Sequence, residues 1–506
     1  MIPTSRAGPL LSLVLAAVVA LALAPGASAD DTGSAPGEAR PADALSRPLR
    51  LTLGAAGAPT DESRSWFHVR PPFADPDWRP RPTGSERNTW LALGEVVGIN
   101  IGMWFVSYWA GNDFSKISFD TIGQNFRKGW IVDTDPYWVN QFGHPYEGQA
   151  FFTAGRSTGH DFYESFVFSF LGSLMWEQFM EVQSPSLNDQ VTTPFGGSVL
   201  GEVLYRLHRL ILDSGGANPS FWRQFAAFVV SPVAGANRFL FGEKYEGPML
   251  LPPSWIGELS LGTVFAGWAH DLRTGASQTD VGPWVSIAAH IIYGVPGTPD
   301  LRLKQPFDHF ELLGSVAFTS SVQQTASLLM QGLLVGESIG PATDWGGLWG
   351  LFASYDVISV PVFSASGFGL GPGVSLMKRW RPFELRGTAL AEFLPWAAGG
   401  AQQQLFVRDY HFGPGAQGVL QLRGSFGDRA TLDLQTRGYW ISGAYAKGQS
   451  EDIIWSRAAL TVRLHGPHGA TATVEWSRRH GSYPYNPDIL QRATVVSASY
   501  TVLDGW

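Results

Sequence analysis

The stretch that decides the fold of this chain is residues 494–506, which read TVVSASYTVLDGW. Side chains alternate in character along this stretch. If the backbone is extended, one face of it is mainly apolar and carries Val496, Ala498, Tyr500, Val502 and Trp506. Alternation with a period of two predicts a β-strand with one apolar face and one polar face.

The same period runs through the chain from about residue 257 onward. Clear cases are residues 284–293, 430–438, 458–464 and 472–477. Clusters of Gly, Pro, Asn and Asp separate these stretches, as expected of turns. About twelve segments of roughly ten residues can be counted, which is the length of a tilted strand that crosses a membrane.

An alternating last strand that ends on an aromatic residue resembles the assembly signal of bacterial outer-membrane barrels. Asp504 departs from that pattern, and a soluble β-sandwich ending in Trp506 is the other interpretation. We predict an antiparallel transmembrane β-barrel of about twelve strands over residues 257–506. Its expected partners are outer-membrane lipid and, through the last strand, the barrel-assembly machinery.

Composition narrows the class of protein. Of the 506 residues 15% are charged, whereas an ordinary soluble domain has about 25%. The outward face of a membrane barrel must be apolar, which explains the low charge. The chain has no cysteine, which excludes a disulfide scaffold, a thiol enzyme and a zinc finger. A net charge of −8 argues against nucleic acid as a partner.

The first residues predict an address outside the cytoplasm. Arg6, an apolar run over residues 10–24 and the small residues Ala27 and Ala29 together form the pattern of a signal peptide over residues 1–29. Residues 30–86 show no sustained period and are expected to be an irregular lead-in. Export to the outer membrane of a Gram-negative cell envelope is therefore the expected location.

Residues 87–245 are predicted to form an α-helical unit. Residues 87–111 are long and apolar enough to cross a bilayer, but Glu95 and Asn100 favour a helix packed in a protein interior. Glycine recurs there every four residues, a stripe that permits close helix packing. We expect the unit to pack inside or against the barrel and to bury this stripe.

Polar residues of the helical unit are the candidates for chemistry. His144, Glu177, Glu181 and Asp189 could serve as a general base with its partner, or could bind a divalent cation, although their spacing fits no metal motif. A structural ion-pair network is the second interpretation, in which Glu177 or Glu202 pairs with Arg156 or Arg206. A polar strip that lines a lumen or groove is the third.

The helical unit resembles a bacterial family known as domain of unknown function number 3943. The residues that carry the resemblance are Gly143–Gly148, Arg156, Gly159, Trp176, Glu177, Glu181, Pro185, Ser186, Asp189, Gly196, Gly197, Gly201, Glu202, Arg206, Pro232, Asn237, Arg238 and Gly242. The likeness spans roughly residues 110–245. It implies an exported envelope protein with a β-rich carboxy-terminal region, and it places His144, Glu177, Glu181 and Asp189 in one motif set.

Three functions remain open from the sequence. The first is an envelope or transport barrel whose helices plug or gate it, with Arg156, Glu202, Arg206, Asn237 and Arg238 as a structural polar network. The second is a membrane-embedded enzyme that acts on a lipid or envelope polymer through the His/Glu/Asp site. The third is a module that binds an apolar ligand on its aromatic surface. No cofactor is expected, with a divalent cation at the His/Glu/Asp site as the one alternative.

Overall fold

The computed structural model describes residues 84, 86–133, 135–215, 218–246, 254–318, 325–341, 344–402, 410–427, 429–443 and 448–503. The expected signal peptide, nearly all of the lead-in and Trp506 lie outside the described residues.

Seven helices precede the barrel in the described part of the chain. They are α1 (Thr89–Trp109), α2 (Phe119–Lys128), α3 (His144–Ser157), α4 (Phe162–Met175), α5 (Leu187–Asp213), α6 (Phe221–Val230) and α7 (Pro232–Phe241). Two short π-helical turns adjoin them: Val139–Gly143 leads into α3, and Trp176–Met180 follows α4. π-Helical turns are rare in proteins, and those that occur are often found at functional sites.

Twelve strands follow. They are β1 (Trp255–Asp271), β2 (Ser277–Tyr293), β3 (Phe310–Phe318), β4 (Thr325–Ile339), β5 (Trp345–Val360), β6 (Phe363–Trp380), β7 (Phe383–Gly400), β8 (Tyr410–Phe426), β9 (Ala430–Ser442), β10 (Ser450–His465), β11 (His468–Tyr483) and β12 (Asn486–Leu503). Each pairs antiparallel with its chain neighbours, and β1 pairs with β12, so the barrel closes. The predicted fold is confirmed.

Strand alternation separates the two faces of the barrel wall. On β5, Asp356 contacts Arg437 of β9 at 2.5 Å, and on β4, Gln331 contacts Gln421 of β8 at 2.6 Å. Strands four apart in a closed barrel can meet in this way only across the lumen. Neighbours such as Tyr355 therefore point outward, because successive side chains face opposite sides.

Side chains of the barrel itself fill much of its lumen. Ion pairs cross it, and an apolar layer of inward-facing residues lies beside them; that layer includes Ile358, Phe363, Leu394, Tyr439, Ile441, Ile453 and Trp455. A cavity of about 40 Å³ remains among the polar residues, enough for a few water molecules. The lumen is thus occupied by the wall's own residues.

The helical unit lies against the outer wall of the barrel. The outward-facing hydroxyl of Tyr355 donates to the Gln141 carbonyl at 2.6 Å, and Phe195 of α5 contacts Phe368 of β6 with ring centroids 4.9 Å apart. Outward residues of β2 to β5, β7 and β8 share one apolar core with the helices. Of the two expected placements, inside or against the barrel, the structure has the second.

The helices follow the wall between the two ends of the barrel. We call the end where β1 begins and β12 ends the terminal end, and the opposite one the far end. Arg206 of α5 contacts Asp308 in the β2–β3 connection at the terminal end, at 3.0 Å. Asn140 contacts Tyr410, the first residue of β8, at the far end, at 3.1 Å.

One expectation about the helical unit is wrong. Gly94, Gly98 and Gly102 are not buried, and an added Cβ on any of them would meet no atom within 4 Å. Because the unit lies outside the barrel, this stripe faces away from the wall. Helix α5 starts at Leu187, where Ser186 caps it, and it accommodates Pro194.

Candidate functional site

The candidate site forms where three chain segments meet near the far end of the barrel. Helix α3 begins there at His144, α5 begins at Leu187, and the π-helical turn after α4 carries Glu177. A short parallel bridge between Ile131 and Ser186 ties the preceding loop to the start of α5. Local folding therefore brings residues more than forty positions apart into one cluster, which we call the His144 cluster.

His144 lies between two carboxylates in this cluster. Its Nδ1 is 3.4 Å from Oε2 of Glu147, one turn along α3, and its Nε2 is 3.4 Å from Oδ2 of Asp189. Both carboxylates are nearly buried. Each nitrogen of the imidazole thus faces an acidic group, an arrangement that orients the ring and favours its protonated form.

The two glutamates proposed from the sequence also belong to the cluster. Glu177 is buried, and its Oε2 accepts a hydrogen bond from the backbone N–H of Ser186 at 2.6 Å. Neither Arg156 nor Arg206 pairs with it among the described contacts, contrary to one reading of the network. Burial, followed by the negative charges of Glu181 and Asp189, raises the pKa of Glu177 well above its usual range.

Glu181, Asp189 and His144 also have raised pKa values. Burial raises the pKa of Glu181 to about 8 and raises that of Asp189 well above its usual range. Burial alone would lower the pKa of His144, but the charges of Asp189 and Glu147 outweigh it and raise the pKa well above 6.5. Mutual repulsion among carboxylates in a low-dielectric site raises the pKa values of those carboxylates.

Sequence reasoning did not assign Asp133, Asn140, Asn188 or Glu147 to the cluster. Asp133 accepts hydrogen bonds from Asn140 at 2.6 Å and from Asn188 at 2.8 Å, and Asn188 also donates to Asp189 at 2.9 Å. Glu147 was within the motif around His144, and its i, i+3 spacing at a helix start was a usable signal. Nothing in the sequence around Asp133 connects it to residues more than fifty positions away.

The tightest group of potential cation ligands lies outside the His144 cluster. Among the residues that the structure describes, one group of His and acidic ligand atoms lies within 4.8 Å of one another: Glu258, His290 and Asp433 in the barrel lumen. Arg423 contacts each of these three side chains, so a guanidinium already fills that position. The His144 cluster has the oxygen-rich ligands a hard cation prefers, but they are not gathered to that degree.

The second polar network of the helical unit, centred on Glu202, is built differently. Glu202 is fully buried on α5. Its carboxylate accepts hydrogen bonds from Arg156 Nε at 2.7 Å and from Arg206 Nε at 2.8 Å. Burial raises the pKa of Glu202, but the two guanidinium groups outweigh it, so the pKa is lowered. We call these residues the Glu202 network. Every charge at its centre faces an opposite charge.

Asn237 and Arg238 of α7 lie near the Glu202 network but bind other partners. The amide of Asn237 donates to Glu95 of α1 at 2.9 Å and to Ser157 at 2.8 Å. Arg238 pairs with Glu243 at 2.6 Å and with Glu246. These contacts fasten α1, α3 and the residues after α7 to α7, so their role is structural.

The chemistry available to the His144 cluster is proton transfer. The cluster holds a protonatable imidazole next to carboxyl groups whose pKa values are displaced toward or above neutral pH, which is the usual setting for acid–base catalysis. Oε1 of Glu147 is buried and accepts no hydrogen bond from the described residues, so its capacity to accept one is unused.

Comparison with solved structures finds similar barrels. The chain is similar to the CymD monoaromatic hydrocarbon channel at 10% identity, with 49% of this chain and 88% of that chain covered and a TM-score of 0.21. It is also similar to the toluene transporter TodX of Pseudomonas putida (9%, 50% and 89%, 0.20) and to an anion-selective porin from Comamonas acidovorans (8%, 50% and 100%, 0.20). TM-scores this low carry no argument about a ligand.

Comparison of the sequence itself identifies the helical unit. No curated protein matches the chain. A family model does match, over residues 129–233, which contain the whole His144 cluster and the centre of the Glu202 network. The resemblance stated from the motifs is therefore confirmed: this part of the chain matches the family described as Domain of unknown function (DUF3943).

Proposed function

We propose that the protein is an outer-membrane enzyme that hydrolyses an ester bond of an envelope lipid at the His144 cluster, on the outside of its barrel. The observation that carries this proposal is the His144 ring, which has a carboxylate 3.4 Å from each nitrogen in a nearly buried site. Burying several carboxylates around one imidazole is costly, and such arrangements are concentrated at sites that perform proton transfer.

The positions of the groups suggest how each would act. Glu147 takes a proton from a water molecule, and the resulting hydroxide adds to the acyl carbon of the ester. The protonated His144 gives its proton to the oxygen of the leaving alcohol as the carbon–oxygen bond breaks. Glu147 then returns its proton to His144, 3.4 Å away, which restores both groups. Asp189 acts as a positioning residue that holds the ring.

The test is product formation by the full chain in vesicles of phospholipid and lipopolysaccharide, followed by mass spectrometry of released fatty acid. We expect His144→Gln and Glu147→Gln to reduce the rate at least about 100-fold, the order of a general acid–base contribution. His208→Gln is the matched control, because His208 is a buried histidine of the same unit that binds the Ala227 carbonyl. An active His144→Gln variant, or no product from wild type, would refute the proposal.

Location in the outer membrane, export through residues 1–29 and assembly through the last strand are parts of the same proposal. The closed barrel of twelve antiparallel strands supports the location. Mobility of unheated and boiled samples in a detergent gel tests it, since a closed barrel resists detergent until heated. A heat-dependent shift in the outer-membrane fraction is expected, and a soluble periplasmic protein with no shift would contradict it.

Transport through the lumen is the competing function, and the cross-lumen contacts argue against it. Arg437 and Asp356 meet in the middle of the barrel, and both are buried. We therefore expect no conductance steps from wild-type protein in a planar bilayer. Steps of the size seen for open porins would favour a transport barrel, with the helical unit as a wall element.

A further inference from the structure

The surface of the helical unit that faces away from the barrel is apolar. Helix α1 is the clearest case, since among the described residues it is the helix long and apolar enough to cross a membrane, and only 17% of its apolar stretch is buried. Trp90 and Trp109, at its two ends, are each 84% exposed. Exposed apolar side chains lie between them: Val97, Ile101, Phe105 and Val106.

The charge on α1 is turned inward. Glu95 is its only charged residue, and its carboxylate accepts a hydrogen bond from Asn237 of α7. Asn100 is buried and donates to the Gly172 carbonyl of α4 at 3.4 Å. A helix that points its polar groups at protein and its apolar groups outward has the reverse of the pattern on a water-exposed surface.

Helix α1 runs along the barrel wall from the terminal end toward the far end. At its start, Asn88 contacts Tyr245 and Thr158 near the Glu202 network. At its end, Trp104 donates to the Ser115 carbonyl, next to Phe114, whose carbonyl binds Val182 beside the His144 cluster. Its 21 residues span about 31 Å, close to the roughly 30 Å hydrocarbon core of a bilayer.

The apolar surface of the helices is continuous with that of the barrel. Phe166 of α4 contacts Phe195, with ring centroids 5.1 Å apart, and Phe195 contacts the outward-facing Phe368 of β6. Leu370, the next outward residue on β6, is exposed. Farther around the wall, strands without helices expose the apolar residues expected of a lipid-facing band, including Leu434, Leu460 and Val474.

We propose that the outer faces of α1 and α4 lie in the same bilayer as the barrel and contact its acyl chains, with Trp90 and Trp109 at the two membrane–water interfaces. Tryptophan at both ends of an apolar segment is the usual marker of those interfaces. The helical unit is thus a lateral, lipid-immersed part of the protein and not a periplasmic domain. This proposal does not depend on any activity of the His144 cluster.

The cysteine-free chain allows a direct test by single-cysteine spin labelling of the full protein in vesicles. Labels replace Ile101 on α1, Leu434 on the barrel as the lipid reference, and Thr274 in the β1–β2 hairpin as the water reference. We expect the label at Ile101 to match Leu434, with high collision with oxygen and low collision with an aqueous nickel chelate. A label at Ile101 that behaves like Thr274 overturns the proposal.

A second copy of the chain is the other occupant this face could have, because the Gly94–Gly102 stripe is open. The variant Gly98→Ile separates the two. Lipid accommodates the added side chain, so heat-dependent gel mobility and oligomeric state in detergent should not change. Spin–spin broadening between Ile101 labels in wild type, lost in Gly98→Ile, would show that a protein partner covers the face and would refute lipid contact.

Discussion

The His144 cluster and the Glu202 network lie in the same helical unit, with His144 and Arg156 at opposite ends of α3, but their buried charges are compensated differently. Glu202 is matched by two guanidinium groups, so its negative charge is stabilised. In the His144 cluster, several carboxyl groups share one imidazole, and burial raises the pKa values of Glu177, Glu181 and Asp189.

This difference separates a polar network that stabilises the fold from a cluster for which we propose proton transfer. A matched buried ion pair is costly to break because the remaining charge has no partner. An unmatched cluster lowers stability in its ionised form, and such a cluster persists where its protonation states are used. The following predictions are ordered from the largest expected effect to the smallest, and each tests whether the two regions really differ.

Glu202→Gln should be the most damaging substitution. It leaves Arg156 and Arg206 buried without their shared carboxylate, and we expect the free energy of unfolding of the helical unit to fall by about 3–5 kcal/mol. Protease cleavage within residues 87–245 at increasing urea measures this loss, while unheated gel mobility reports the barrel separately. Glu243→Gln is the control, because its partner Arg238 keeps Glu246. Equal cleavage of both variants would contradict the prediction.

Stability of the helical unit should fall as pH rises. The pKa of Glu181 is 4.5 in an unfolded chain and about 8 in the fold, so its contribution is fully present below 4.5 and is lost as pH rises through about 8. His144, whose pKa is also raised, changes stability in the same direction. The same protease assay at about pH 5 and about pH 9 measures the loss.

Glu181→Gln supplies the comparison for that pH series. It should reduce the loss between the two pH values by about 1 kcal/mol or more, since each pKa unit corresponds to about 1.4 kcal/mol. A wild-type unit that gains stability with rising pH would show that the cluster is matched, as the Glu202 network is. A Glu181→Gln variant with an unchanged slope would assign the dependence to other groups.

Asn237→Ala should cost about 1–2 kcal/mol, because it removes one donor to the partly buried carboxylate of Glu95 and one to Ser157. A spin label at Ile101 on α1 should become more mobile, while the same label at Leu434 on the barrel should not change. Asn218→Ala, at an exposed position, serves as the reference. A change no larger than that of Asn218→Ala would remove Asn237 from the contacts that fasten α1.

Asp189→Asn should have the smallest effect on stability, within about 1 kcal/mol and in the stabilising direction, because it removes one of several mutually repelling carboxylates. The same variant should lose activity, since the ring of His144 keeps only Glu147 as an acidic partner. Measuring both properties on one preparation separates the two regions most sharply. A loss of stability comparable to that of Glu202→Gln would make the His144 cluster a structural network.

Much of the architecture could be predicted from residue patterns. The two-residue period of segments such as 458–464 predicts strands. About twelve such strands predict a barrel, and in the structure the strand that contains this segment pairs with the strands before and after it in the chain. Membership of His144, Glu177, Glu181 and Asp189 in one set followed from the motif resemblance. Asp133 could not be predicted, because it joins the set through Asn140 and Asn188, which only the folded loops bring together.

The sequence by itself determined local structure: which segments are strands, which are helices, and which side chains alternate. Those follow from periodicity and chain stereochemistry, which act over a few residues. Tertiary structure alone decided that the helices pack on the outer wall, that the lumen is filled, and that Glu202 but not Glu177 meets the arginines. These are outcomes of packing between distant segments, and a pattern that is apolar on both faces does not say which face meets protein and which meets lipid.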